Sequence, residues 1–237
     1  MRGPMITHPG PSTGPVSYCV GRAWFTFFGW QTEGEPPAVK RAVIIAAPHT
    51  SNWDLPHMLA AAFLFRMRIS WLGKHTLFSS PLGPLLRWLG GLAVDRRAPG
   101  GLVAQAAARL RDSESLLLAV PPSGTRSRGD SWKSGFYWIA LTAGVPIVCS
   151  YLDYGRKRAC IGLTLQPTGD VHRDMDQIRE FYVGVRGLYP ENQTPVRLRD
   201  EERASSEHPD GSGPAEHEAR AQRPTGEVPR DVDRDGA

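Results

Sequence analysis

Apolar and polar positions succeed one another along this chain as short strands alternating with amphipathic helices. Residues 43–47 (Val-Ile-Ile-Ala-Ala) form an apolar run with Lys40 and Arg41 before it and Pro48 after it, which predicts a buried strand. Leu55, Met58, Leu59, Ala62 and Phe63 then recur at helical spacing. Residues 69–72 and 92–94 predict two further short strands. Leu102, Val103, Ala106 and Leu110 mark a helix after Gly100 and Gly101, and residues 116–120 a second buried strand. Trp132, Phe136, Ile139, Ala140 and Ala143 share a helical face, with Gly144 as a stop and Pro146 barring continuation. Residues 145–151 and 158–165 predict neighbouring strands, and Met175, Ile178, Tyr182 and Val185 a last helix. Such alternation predicts an α/β fold with a mainly parallel central sheet flanked by helices.

The ends of the chain read differently. Residues 1–15 are rich in Pro, Gly, Ser and Thr and predict no fixed structure. Residues 20–30 then pack Trp24, Phe25, Phe27, Phe28 and Trp30 into seven positions. That stretch suits a helix or strand edge covering the core, and equally an aromatic element lying in a lipid interface. No aromatic follows Tyr189, and from Asp200 the chain is Pro, Gly, Ser, Glu, Asp and Arg, too polar to offset its own chain entropy. The expected division is a flexible segment 1–19, a folded domain 20–199 and a disordered acidic tail 200–237.

Charge sharpens this division. Residues 200–237 hold 11 acids against 5 bases, so residues 1–199 hold 23 bases against 13 acids. A basic folded part suits an anionic substrate or an anionic membrane surface, and charge alone leaves nucleic acid open. A membrane span needs about 20 apolar residues. The run 59–65 meets Arg66 and Arg68, and the run 77–92 contains Pro81, Pro84 and Arg87, so neither spans. The N-terminus lacks the basic-then-apolar order of a signal peptide. Cys19, Cys149 and Cys160 are odd in number and have no CxxC spacing, which speaks against a disulfide scaffold or zinc site and for a reducing cytosol.

The candidate chemistry gathers where predicted strands end. His49 follows the strand 43–47 and Asp54 opens the next helix, with Ser51 or Asn52 available as a cap. On one ideal helix these two side chains would point about 140° apart. They meet only if His49 stands in the loop and turns back over the first helical turn, where a carboxylate would hold one imidazole nitrogen protonated and leave the other to take a proton. A second strand end carries Asp95, Arg96 and Arg97, and a third carries Lys74, without the glycine spacing of a P-loop. The strand 116–120 feeds Ser123, Gly124, Thr125 and Arg126, a glycine turn with hydroxyls and a guanidinium that suits a phosphate monoester or, more simply, a solvated loop. His57 and His75 fit no metal-ligand pattern, no G-x-S-x-G elbow is present, and Arg156, Lys157 and Arg158 suit a turn or a lipid headgroup contact.

The ordered blocks H-x4-D at residues 49–54, a strand ending in D-R at 94–96, G-T-R within 123–126 and V-P-I within 145–148 resemble the glycerolipid acyltransferase superfamily, which includes the lysophosphatidic acid acyltransferases. The resemblance spans residues 43–182. It implies a fatty acyl transfer from an acyl thioester, acyl-CoA or acyl-carrier protein, to the hydroxyl of a lysophospholipid. His49 would be the general base oriented by Asp54. Lys74, Arg96 and Arg126 would hold the acceptor phosphate, Ser123, Gly124 and Thr125 would shape its pocket, and Val145, Pro146 and Ile147 would line the acyl side. No metal or other cofactor and no nucleic acid is implied. The expected location is cytoplasmic and peripheral, on the inner face of the membrane. Ser123 stands where the family carries Glu, which bears on acceptor identity. The alternatives are a non-catalytic lipid-binding relative and an acyltransferase for a non-phosphate acceptor.

Overall fold

The apolar run at 43–47 lies at the middle of the sheet. A computed structural model describes residues 11–94, 101–199 and 201 of the chain. In chain order the elements are α1 (Pro15–Phe28), β1 (Gln31–Gly34), β2 (Arg41–Ala47), α2 (Asp54–Leu64), β3 (Ile69–Lys74), α3 (His75–Phe78), α4 (Gly83–Trp88), β4 (Gly91–Val94), α5 (Gly101–Asp112), β5 (Leu116–Val120), α6 (Gly135–Ala143), β6 (Ile147–Asp153), β7 (Arg158–Leu165) and α7 (Val171–Phe181). The seven strands run in the order β1-β7-β6-β2-β5-β3-β4. Among the described residues only β6 and β7 pair antiparallel. The fold is α/β with helices on both faces, as expected.

Strand periodicity assigns the two faces. Val43, Ile45 and Ala47 point into one core with Leu118, Ile147, Phe136, Ile139 and Met175, beneath α5, α6 and α7. Ala42 and Ile44 point the other way, onto Leu59 and Ala62 of α2. The central strands are therefore buried on both faces, which is why they read as unbroken apolar runs. A third cluster joins Phe25 and Trp30 to Ala60, Ala61 and Ala159, so α1 lies against α2. Gly21 makes that approach possible, since a Cβ there would stand 2.7 Å from the Ala60 carbonyl oxygen.

Several boundaries differ from those expected. The N-terminal helix begins at Pro15, inside the segment 1–19 read as flexible. Proline suits the first helical position, and Gly29 closes the helix with φ +71°. Trp132 precedes α6 and is buried through backbone pairing with Leu198. Val145 and Pro146 precede β6, and Tyr182 and Val185 follow α7, all four outside the elements assigned to them. Glu201, assigned to the disordered tail, is buried and accepts from Leu198 N and Arg179. The strand β1 and the helices α3 and α4 were not expected.

Candidate active site

The parallel pairing of β2 with β5 and β6 brings the carboxyl ends of three strands to one edge of the sheet. Ligands bind at this edge in open α/β folds. The chain leaves β2 at Ala47, passes the cis Pro48 and turns through residues 48–53 before α2 begins at Asp54. His49 does turn back: its Nδ1 lies 2.9 Å from Asp54 Oδ2. Because a carboxylate only accepts, Nδ1 carries the hydrogen and Nε2 is the nitrogen with a free lone pair. About a quarter of the His49 side chain is exposed, against 9% for Asp54.

Asp54 is held from four directions. Oδ2 also accepts from the backbone N–H groups of Thr50 and Ser51, each at 3.0 Å, and Oδ1 accepts from the Tyr154 hydroxyl at 2.8 Å. The Ser51 hydroxyl accepts from Trp53 N and so satisfies the amide just before the helix, while Asn52 takes no part. Burial, together with the neighbouring Asp54 carboxylate, holds the Tyr154 phenol well above its ordinary range, so it stays a donor. Behind the loop His57 is buried among Trp24, Phe28, Trp30, Trp53 and Tyr154, with Nδ1 donating to Trp53 O. Burial lowers its pKa, against the opposing pull of that bond and of Asp54.

The second loop leaves β5, next to β2 in the sheet. Gly124 adopts φ +66° and its N–H donates to Pro121 O, closing a tight turn. The Ser123 hydroxyl donates to Thr125 O, and the Thr125 hydroxyl accepts from Ser127 N, so both hydroxyls serve the loop itself. Arg126 and Arg128 are exposed and make no hydrogen bond or ion pair among the described residues. Lys133, which sequence reasoning did not single out, lays its stem beside Gly124 and donates its N–H to Pro122 O. Pro48, His49, Pro122, Ser123, Trp132 and Gln193 line a small cleft between the two loops.

Lys74 ends β3, the neighbour of β5, at this same edge. Arg96 lies outside the described residues. Val145, Pro146 and Ile147 are not brought to the site. They open β6 level with Val43, four residues before the pair Ala47–Tyr151, or about 13 Å away along the strand. Val145 and Ile147 are buried in the core, and Pro146 faces a shallow hollow at the opposite edge with Val39, Lys40 and Glu114.

A segment that sequence reasoning passed over ties the site together. Tyr189 N donates to Thr50 Oγ1, and Gly129 N to Thr194 Oγ1, so residues 189–194 span from the histidine loop to the cationic loop. Gly187 permits this, since a Cβ there would meet Thr50 Oγ1 at 2.7 Å. The polar composition of the segment gave no periodic signal. The charge run 156–158 is engaged internally: Arg156 on Asp153, Lys157 on Phe28 O and Arg158 on Glu33.

Comparison with known proteins bears on the family and the fold. The acyltransferase family model matches residues 31–152, from β1 through most of β6, and so includes both loops. No curated protein matches the chain. Among solved structures, the crystal structure of the 1-acyl-sn-glycerophosphate (LPA) acyltransferase PlsC from Thermotoga maritima is similar in fold, with a TM-score of 0.50 and 20% identity over 71% of this chain and 75% of that one. With its family model covering more than half of its length and its strand ends arranged as described, the chain belongs to the acyltransferase family.

Proposed function

We propose that this acyltransferase moves a fatty acyl group from an acyl thioester, carried by coenzyme A or an acyl-carrier protein, to the hydroxyl of a lysophospholipid of the 1-acylglycerol-3-phosphate type. The observation that carries the reading is the His49–Asp54 pair, with Nδ1 bound and Nε2 open at a cleft shared with Ser123. His49 Nε2 takes the proton of the acceptor hydroxyl as its oxygen attacks the thioester carbonyl carbon. The C–S bond breaks as the tetrahedral intermediate collapses, and the imidazolium returns the proton to the leaving thiolate. Asp54 keeps the imidazole in the required tautomer and stabilises the transient cation. Arg126, Lys133 and Lys74 supply positive charge for the acceptor phosphate; the first two are exposed ends beside the glycine turn.

A non-catalytic lipid binder has no use for a base whose carboxylate partner is tied by four donors, and this favours the catalytic reading. Lysolipids lie in bilayers, and among the described residues no helix is long and apolar enough to cross one. The reading therefore puts the enzyme in the cytoplasm, docked on the inner face of the membrane. The surface that suits docking is the exposed stripe Val16, Val20, Ala23 and Phe27 along one face of α1. His49→Ala tests the assignment: transfer to lysophosphatidate should fall by about 10²–10⁴-fold with the fold intact by circular dichroism. Transfer within a few-fold of wild type would remove His49 from the mechanism.

A further inference from the structure

The fourth donor to Asp54 comes from a hundred residues away. Tyr154 follows β6 directly, and β6 pairs with β2, so the end of β6 lies beside the loop that carries His49. We propose that Tyr154 is a positioning residue for the acyl-transfer pair, its hydroxyl fixing Asp54 from the Oδ1 side and tempering the charge that His49 feels. The inference rests on the proposed role of His49 and Asp54.

Three observations carry it. The contact is short, at 2.8 Å, and goes to the carboxylate oxygen that neither the imidazole nor the loop amides use. With Oδ2 bonded to three donors and Oδ1 to the phenol, rotation of the carboxylate away from His49 would break bonds on both sides at once. The phenol is itself fixed. Its ring stands edge-on to Trp30 at 4.9 Å and lies against His57, and its backbone N–H donates to Arg186 O. An orienting group held by packing keeps its geometry through a reaction cycle better than one on a free loop. A purely structural tyrosine in such a packed site needs some acceptor for its hydroxyl. Here the acceptor is the carboxylate that orients the base.

The electrostatic consequence has a definite sign. A donor on Oδ1 draws charge from the carboxylate and lowers its hold on the imidazolium of His49. Removing the hydroxyl leaves that charge less compensated and frees the carboxylate to turn on its Oδ1 side. The other titratable or charged groups nearby do not mimic this. His57 from α2 is biased neutral by burial, Asp153 at the end of β6 is occupied by Arg156, and Tyr182 beyond α7 donates to Ser150 O. Arg186 is exposed and presents its stem to Gly155.

The test compares the full chain with its Tyr154→Phe variant, which keeps the ring. The hydrogen-bonded imidazole Nδ1–H resonance is recorded by NMR at one pH, with His49 assigned from its loss in His49→Ala. Transfer is followed with a long-chain acyl-CoA and lysophosphatidate as probes. The expected result in Tyr154→Phe is a His49 Nδ1–H resonance that moves and broadens as its bond to Asp54 loosens. At the same pH kcat falls about three- to tenfold, with KM changed less than twofold, as expected for loss of positioning rather than of binding. An unchanged His49 Nδ1–H resonance in Tyr154→Phe overturns the proposal. So does wild-type behaviour of Tyr154→Phe beside a Tyr154→Ala variant that loses only thermal stability, since that assigns the residue to packing. Because the resonance needs no substrate, it decides the coupling even if His49→Ala retains transfer, an outcome that would instead sink the base assignment.

Discussion

The loop after β2 and the loop after β5 leave neighbouring strands at the same edge, yet they are held in opposite ways. In the first, the side chains are tied: Asp54 takes four donors, and even Thr50 accepts from Tyr189 N. In the second, the backbone is tied and the charged ends are loose. Gly124 and the hydroxyls of Ser123 and Thr125 fix the turn, while Arg126 and Arg128 extend unpaired among the described residues. A group that must move a proton gains from a fixed geometry, because misplacement weakens the transfer steeply. A group that captures an anion from solution gains from reach and hydration until the ligand arrives. Under the proposed function the first loop would do the chemistry and the second the binding.

The sharpest way to break that contrast is Asp54→Asn. Asparagine keeps one acceptor oxygen: turned to His49 and the loop N–H groups it leaves NH2 facing the Tyr154 hydroxyl, turned away it leaves those donors unmet, and either way the charge that stabilises the imidazolium is gone. Transfer should fall by about 10²–10⁴-fold. The disrupted bonding should cost about 1–3 kcal/mol, read from denaturant melts. Loss of activity without loss of stability would mean the loop holds itself without the carboxylate.

Arg126→Ala addresses the loose loop. The KM for phosphorylated acceptor should rise about tenfold or more, the size of one charge-assisted contact, with acyl-donor KM and melting temperature unchanged. Lys133→Ala should act in the same direction. A shift confined to the donor KM would show the loop serving the thioester instead.

The same contrast between tied and untied groups divides α1. Trp24 and Phe28 pack against Trp53 and His57, while Phe27 is 82% exposed. Replacing Val20 and Phe27 by Ser should weaken co-sedimentation with anionic vesicles several-fold and leave the fold intact, since each side chain is worth about 1.5–3 kcal/mol when fully buried. Trp24→Ser should instead lower thermal stability. Equal vesicle binding by wild type and the double variant would leave the α1 stripe without a role in docking.

The smallest effect lies behind the histidine loop. The folded-state pKa of His57 is lowered from the ordinary 6.5 by burial. Between that lowered value and 6.5 the unfolded chain binds the extra proton, so stability rises with pH there. The contribution of neutral His57 is complete above 6.5 and is lost as pH falls below it toward and through the folded value. Melting temperature should therefore decline from pH 7 to pH 5, and His57→Gln should flatten that decline. An equal slope in both proteins would place the acid sensitivity elsewhere.

The parts of this architecture that a sequence reveals are those whose physics is local. Residues 43–47 and 116–120 are buried on both faces and so stand out as apolar runs, whereas β1, Gln-Thr-Glu-Gly, is an exposed edge strand with no pattern to read. Trp132 fell on the periodicity of α6 but is buried through a backbone bridge to Leu198, a contact that spacing cannot announce. At the site, only four residues separate His49 from Asp54, and the turn between them could be foreseen from geometry. Tyr154, Lys133 and residues 189–194 reach the site only through strand pairing and loop contacts over long separations. The place of the V-P-I block on the sheet was hidden for a related reason. Its place in the order of blocks says nothing of which end of its strand it occupies, and it opens β6 rather than closing it.

The edge strand β1 has one further consequence, in the order of events during synthesis. Its one sheet neighbour among the described residues is β7, paired in the register Gln31 with Arg158 through Gly34 with Ile161. On a growing chain, β1 has no partner until those later residues have left the ribosome, on the order of ten seconds afterwards at ordinary elongation rates. Over that interval α1 can settle on α2 alone, through the small residues at Gly21 and Ala60. The order of synthesis thus makes the pairing of β1 with β7, together with that of β6 with β7, the last that the sheet can form.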